Sequence, residues 1–452
     1  MRISKELFDY FMQPEISSQM TFQNYGEITL KNGTVIELTP ADFRISGNSY
    51  QDDIIDSNDF SIGNTIGNTF TINLDNTGRR FDTVEFHDAI LELDVGYTYP
   101  MPDDDPLYTP GSMAIGAIQF NQLHVINATH NDYTITLDAV DNMIKFDKTF
   151  NVSPSRFSSN YFTIAEVVDA ICDICDVTNS TTQTTLGHMT DTELEHLNDM
   201  NYTYRQVLGY IAQIAGCNAK IDESGALIFV EFPKVPLAQA DNIYDFTSVK
   251  NVKMGGAFDF YRITGVQVIG THTEDGTSPN TLTVTVGSTK YPLIVENNPI
   301  VFFNVSGTAL TDVTEATELA QRLARMFDVV DEHGDIRPTP GFFVTPCSFS
   351  CPQNPFIEPG DWVLVRRLNE AQTHKVIVTN VSFTTGGYTT VECKAPTPTD
   401  KKAQRSTFSA GQTTQINQMA EQYYNRRVTY DTIDIAVGSD LATGNIYLVY
   451  ED

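Results

Sequence analysis

Hydrophobic and polar positions alternate with a period of two along much of the first third of the chain. Phe70, Ile72 and Leu74 are separated by Thr71 and Asn73, and Tyr133, Ile135 and Leu137 by Thr134 and Thr136. This is the pattern of strands that bury one face. Asn32-Gly33, Gly47-Asn48 and Asn76-Thr77-Gly78 supply turn chemistry between such runs. Many short strands joined by turns predict a β-barrel or sandwich over residues 20–150. A short helix over 1–16 precedes it, with Leu7, Phe8 and Phe11 on one face and a stop near Pro14. The Pro-rich stretch 99–112, YPMPDDDPLYTPGS, reads as a loop inside this region, because the β pattern resumes at Ala117–Ile126.

From residue 160 the period lengthens to that of a helix. Thr163-x-x-Glu166 is a capping box leading into Ile164, Val167, Val168, Ile171 and Ile174. Residues 178–200 are rich in Thr and Asn and read as irregular. A second capping box, Thr203-x-x-Gln206, opens a helix with Tyr204, Val207, Leu208, Ile211 and Ala215 on one face, stopped by Gly216. The run from Cys217, a turn at Asp222–Gly225 and a strand over Ala226–Phe232 complete a helix–hairpin unit. β pattern returns in Tyr261–Ile269, Thr281–Val286, Trp362–Arg366, Lys375–Phe383 and Thr389–Lys394. One helix interrupts it, marked by Ala316, Leu319, Ala320, Leu323, Met326 and Phe327. After a Pro/Thr hinge come a helix over 408–427 and a strand-like Ile446–Tyr450.

Among the 452 residues, 58 acidic side chains face 28 basic ones, a net charge of −30. Such a surface opposes electrostatic gripping of nucleic acid, which needs basic groups, and opposes docking on anionic lipid. There is no apolar run of about 18 residues, and the N-terminal MRISKELFDYFMQPE lacks the apolar centre of a secretory signal. Cys172 and Cys175 have no second pair at zinc spacing and fit a helix interior as small hydrophobes. Cys347 and Cys351 could close a strained small loop, but reduced thiols are the expectation for a protein assembled in a cytosol.

Catalytic signatures are missing from the sequence: there is no G-x-S-x-G, H-E-x-x-H, phosphate-binding loop or dinucleotide fingerprint. His87, His124 and His130 read as surface or packing residues, Asp103-Asp104-Asp105 as a solvated loop tip, and the sole Trp, Trp362, as a core anchor. A large acidic β-rich chain without such motifs is expected to act through assembled surfaces rather than as an enzyme.

Three stretches resemble bacteriophage tail hub (baseplate hub) proteins. Phe70–Asp82 (FTINLDNTGRRFD) followed by Asp88–Gly96 (DAILELDVG) resembles their first barrel. Tyr202–Gly216 (YTYRQVLGYIAQIAG) with Ala219–Phe229 (AKIDESGALIF) resembles their helix–hairpin domain, and Ile357–Val365 (IEPGDWVLV) their second barrel. The order matches, and the likeness spans residues 20–395. It implies a mainly β fold with α+β insertions, in which two tail-tube-like β-barrels are separated by the helix–hairpin domain. The implied segments are 1–150, 151–235, 236–395 and a C-terminal extension, 396–452.

The implied function is a structural, non-enzymatic hub at the virion tail tip, assembled in the bacterial host cytoplasm. Three copies would form a homotrimeric ring joining a sixfold tube to a threefold tip around a DNA channel. No cofactor or metal is implied. The implied partners are other copies of the chain, tail tube and distal tail proteins, a tape measure protein, tip fibre or spike proteins, and DNA that passes without specific binding. Some relatives carry peptidoglycan-cutting extensions, and that activity is not carried over here. Ile416, Met419 and Tyr423, with Ala420 between them, are the candidate partner-contact face of the C-terminal helix. A carbohydrate-binding adhesin and a cell-wall hydrolase are the competing readings, the first resting only on β-richness and 20 Tyr, the second on no motif.

Overall fold

The computed structural model describes residues 3–55, 60–102, 109, 111–181, 187–231, 243–249, 252–254, 261–263, 265–272, 280–287, 292–296, 298–302, 309–325, 329–330, 336–337, 342–344, 346–368, 371, 373–394, 429–431 and 447–449. Residues Met1–Gln404 form one compact unit and Arg405–Asp452 another.

At the N-terminus, Ser4 accepts a hydrogen bond from the Leu7 N–H and caps α1 (Lys5–Phe11). Pro14 does not simply end the helical segment. It opens a further turn, α2 (Pro14–Ser17), because a proline at the first helical position loses no hydrogen bond. The alternating region then forms β1 (Thr21–Thr29), β2 (Val35–Leu38), β3 (Ser49–Asp53), β4 (Thr69–Asp75), β5 (Ile90–Pro100), β6 (Met113–Asn131) and β7 (Thr134–Val140). Ile72 and Leu74 of β4 lie opposite Leu137 and Ile135 of β7, and all four are buried. Tyr133 departs from the expected alternation and is 62% exposed. Asn131 pairs with Thr134, so Asp132 and Tyr133 are the two-residue loop of the hairpin rather than strand.

The middle segment contains β8 (Tyr161–Thr163), α3 (Ile164–Cys175), β9 (His188–Thr190), α4 (Asp191–Asp199), α5 (Tyr204–Ala215), β10 (Cys217–Ile221) and β11 (Leu227–Glu231). Both capping boxes form. The Thr163 N–H donates to Glu166 over 2.6 Å, and the Thr203 N–H donates to Gln206 over 2.8 Å. Gly216 ends α5 in the left-handed region at φ 76°. The irregular reading of 178–200 is corrected by β9 and α4. Only Leu194 and Leu197 of α4 carry the helical spacing, and their burial against the α3 and α5 core holds the acidic helix in place.

The remaining elements are β12 (Ile243–Asp245), β13 (Lys253–Met254), β14 (Tyr261–Ile263), β15 (Gly265–His272), β16 (Asn280–Gly287), β17 (Pro292–Glu296), α6 (Pro299–Phe302), α7 (Ala309–Ala324), β18 (Val329–Val330), β19 (Ile336–Arg337) and β20 (Phe342–Val344). They are followed by β21 (Cys347–Pro352), β22 (Trp362–Val365), β23 (His374–Ile377), β24 (Asn380–Thr384) and β25 (Tyr388–Cys393). The expected single strand Lys375–Phe383 is two strands. The chain turns at Val378 and Thr379, whose N–H groups donate to Asp361 O and Glu392 O, and so it leaves one sheet for another. In the C-terminal unit, β26 (Thr429–Asp431) pairs in parallel with β27 (Tyr447–Val449). Met326, Phe327 and the 408–427 helix lie outside the described residues.

The chain is mainly β, with the helices concentrated in insertions. Eleven strands form one sheet in the order β13-β21-β25-β24-β3-β4-β7-β6-β5-β1-β2. Strands from both expected barrel regions therefore share one sheet, joined where β3 pairs antiparallel with β24 (Tyr50 opposite Phe383, Asp52 opposite Val381). Among the described residues no pairing closes this sheet into a ring.

Among the described residues three apolar cores result. One lies within β1–β7 and includes Phe356 and Phe383. A second lies between β21, β24 and β25 and the small sheet β12-β22-β23. The third gathers α3, α5, β10, β15, β17 and α7, and it buries Trp362. Helix α1 links the first two cores. Phe8 stacks on Tyr244 with ring centroids 3.9 Å apart, while Phe11 meets Tyr99 at 4.7 Å and Phe356 at 5.1 Å.

Candidate functional site

The outward face of β2, β1, β5 and β6 carries acidic, aromatic and apolar side chains in successive rows. On β1 the buried positions are Asn24 and Ile28, so Gln23, Tyr25 and Glu27 project to the other side. Register then aligns like with like. Glu27 stands directly opposite Glu37 on β2 and opposite Glu92 on β5, making a row of three exposed glutamates across three strands. In the next row Tyr25 faces Asp94, which faces Gln119. Beyond that lies Gly96, where a Cβ would sit 2.7 Å from the Tyr25 ring, so the glycine makes room for the tyrosine. The far end is apolar: Met113 opposite Pro100, and Ile115, 80% exposed, opposite Thr98. The glutamate row, Tyr25, Asp94, Gly96, Thr98 and Ile115 line a concavity of about 620 Å³.

Directly opposed like charges destabilise a sheet. Among the described residues no ion pair reaches Glu27, Glu37 or Glu92. Lys31 is held by Asp88 at 2.6 Å. Arg80 pairs with Asp42 and donates to the backbone oxygen of Glu37, not to its carboxylate. Burial raises the Asp94 carboxyl above its ordinary value against an opposing hydrogen bond from Gln119. Burial and then the neighbouring Asp94 raise the Tyr25 hydroxyl.

The residues singled out in the sequence fall elsewhere. His87 is exposed beside Asp88, His124 bonds Asn142 at 2.9 Å, and His130 lies by the Phe86 ring. Cys172 and Cys175 are buried as free thiols, and burial pushes them up to about 12 and about 11. Cys347 and Cys351 are also free. They stand four residues apart on extended β21, a span of roughly 13 Å that no disulfide bridges. Asp103-Asp104-Asp105 and the helix face Ile416, Met419 and Tyr423 lie outside the described residues. Among the described residues no group of His, Cys, Asp or Glu could hold a metal ion, and no helix is long and apolar enough to cross a membrane.

A buried ion pair and a buried carboxyl were not legible in the sequence. Lys220 of β10 donates to both carboxylate oxygens of Asp52 on β3 at 2.7 Å, with both side chains almost fully buried. Asp141, at the end of β7, accepts from the N–H groups of Asn68 and Met143 at 2.8 and 2.9 Å. Burial pushes it from 3.8 up to about 7 despite those bonds. Its protonated form is thus favoured by folding. The stability it contributes is complete below about 3.8 and is lost as pH rises through about 7. Urea midpoints measured across this window are expected to show that loss, on the order of a few kcal/mol. The Asp141→Asn variant, neutral throughout, should remove this component of the slope, and an unchanged slope would show that Asp141 is not its source.

No protein-family model matches the chain, and no curated protein matches it. Solved structures are similar to it. A 43 kDa tail protein of prophage MuSo2 from Shewanella oneidensis is similar at TM-score 0.45 and 11% identity, over 82% of this chain and 98% of that one. A tail protein from Neisseria meningitidis MC58 gives TM-score 0.44 and 10% identity over 83% and 96%. Prophage tail protein gp18 from Listeria monocytogenes EGD-e gives TM-score 0.40 and 11% identity over 88% and 99%. All three are tail proteins, two of them from prophages. At these scores they carry no residue role to this chain.

Proposed function

We propose that this chain is a structural hub subunit at the tip of a phage-type tail. Two tube-type β modules, in 1–150 and 236–395, flank the helix–hairpin segment 151–235. Three copies then present six modules, which lets a threefold tip meet a sixfold tube around the channel. Such a ring is heterologous, each patch meeting a different patch on its neighbour. Tail tube, tape measure and tip fibre or spike proteins are its partners. The extension 396–452, with Ile416, Met419 and Tyr423, is assigned to contact with one of them.

The observation that carries this reading is the outward acidic face of β2, β1 and β5. Its Glu37, Glu27 and Glu92 stand in register and are without cations among the described residues. Turned toward a channel, such a face repels phosphate and keeps passing DNA from sticking. The experiment combines Glu27→Lys, Glu37→Lys and Glu92→Lys in assembled particles and follows DNA release. Release should slow on the order of tenfold or more, and added salt should restore it. Particles that assemble and release DNA at the normal rate, with this face imaged on the outer wall, overturn the assignment. A single copy of the chain at the tip of the assembled particle removes the ring.

A further inference from the structure

Cys347 opens β21 and Cys393 closes β25, and the antiparallel register sets them directly opposite each other. Residues so opposed have Cα atoms about 4.5–5.5 Å apart, inside the span of about 4.4–6.8 Å that a disulfide needs. Both side chains are buried, at 6% and 3% exposure, in the core they share with Phe349, Val363 and Val391. Both are free thiols. Cys351 is on the same strand and faces the same core, but its partner across the ladder is Thr389. The other thiols, Cys172, Cys175 and Cys217, sit in a different core. One pair out of six cysteines is therefore in bonding register.

We propose that Cys347 and Cys393 are a redox-modification site: a latent cross-strand staple, open as two thiols in a reducing cytosol and closed as a disulfide once a disulfide-class oxidant reaches them. The reaction balances as exchange. One thiol loses its proton, and its thiolate attacks the oxidant's S–S bond, forming a mixed disulfide and expelling one thiolate. The second cysteine thiolate then displaces the other half. The Cys347–Cys393 bond has formed, two protons have left the protein, and the oxidant has taken two electrons as two thiols. Burial, and after it the Cys347 side chain, hold the Cys393 thiol well above its ordinary value. Closure must therefore pass through local opening of the β21–β25 end, and it should speed up with rising pH and with urea below the unfolding transition. Once formed, the bond closes the chain from β21 to β25 and restricts the unfolded state.

The test uses the full chain, purified in reductant and transferred to oxidised glutathione at pH 8, then alkylated in denaturant and digested for mass spectrometry. The expected product is a cross-linked peptide containing Cys347 and Cys393, with the intact chain lighter by about 2 Da, reversed by dithiothreitol. Its urea midpoint should rise above that of the reduced chain. In Cys347→Ser the cross-link should vanish, leaving Cys393 as a thiol or a glutathione adduct. Six alkylated cysteines after prolonged oxidation, a link from Cys351 to Cys393, or an oxidised chain that unfolds at lower urea than the reduced one each overturn the proposal.

Discussion

Lys220→Ala is expected to destabilise the chain by about 3–5 kcal/mol, as removal of one partner from a fully buried ion pair does. Lys220 has 3% and Asp52 1% side-chain exposure, and both carboxylate oxygens lie 2.7 Å from the ammonium. The truncation leaves Asp52 charged in the interior between β3 and β10. Water cannot replace the lost donor without opening the contact between β3 and β10. Replacing both members, Asp52→Leu with Lys220→Met, should recover most of the loss, because an apolar pair of similar volume removes the desolvation cost of both charges. Urea unfolding of the two variants checks this. A loss below about 1 kcal/mol for the single variant, or a double variant no better than the single, would show that the pair is solvated in solution.

Phe8→Ala is the second large effect, about 3–5 kcal/mol. Phe8 is fully buried, stacked on Tyr244 and edge-on to Phe246 with centroids 5.3 Å apart. Its loss empties a site in the core shared by β12, β21, β22 and β25. It also frees α1, so the neighbouring contacts of Phe11 with Tyr99 and Phe356 are weakened in turn. Protease cleavage within the first twenty residues should accelerate along with the drop in unfolding midpoint. Phe8→Leu should cost less than half as much, since it keeps most of the volume. An unchanged midpoint for Phe8→Ala would mean that α1 is not part of the folded core.

Local signals were legible in the sequence, and long-range ones were not. Each capping box needs only the residue three positions on, and Thr163/Glu166 and Thr203/Gln206 both form as read. The hairpin at Asp222–Gly225 likewise follows from its own turn residues, with the Gly225 N–H returning to Asp222 O. The pairing of β3 with β24 left no trace, because each strand only says that it has a buried face, not which neighbour it takes. The break at Val378 was hidden for a related reason. Val376, Ile377 and Val378 are consecutive, apolar and buried, so the apolar run carries no turn residue where the backbone changes sheets. Lys220 shows how a distant partner reverses a local expectation: every residue of β10 is buried, its Lys and Asn included, since Asp52 and Asn64 satisfy them from afar. The acidic face was half legible. Outward positions for Glu27, Glu37 and Glu92 follow from alternation, but their alignment into one row needs the register.

The seam between β3 and β24 bears on how the chain is made. The Asn380 amide reaches the Ile55 carbonyl, 325 positions earlier in the chain. On a ribosome adding about 5–20 residues per second, β3 waits roughly 15–65 s before its neighbour has been synthesised. Throughout that interval the nascent polypeptide shows an unsatisfied strand flank, the kind that recruits foreign strands and seeds aggregation. Chaperones acting during translation, and a low yield of soluble material from messages truncated ahead of β24, are the corresponding expectations for its biogenesis.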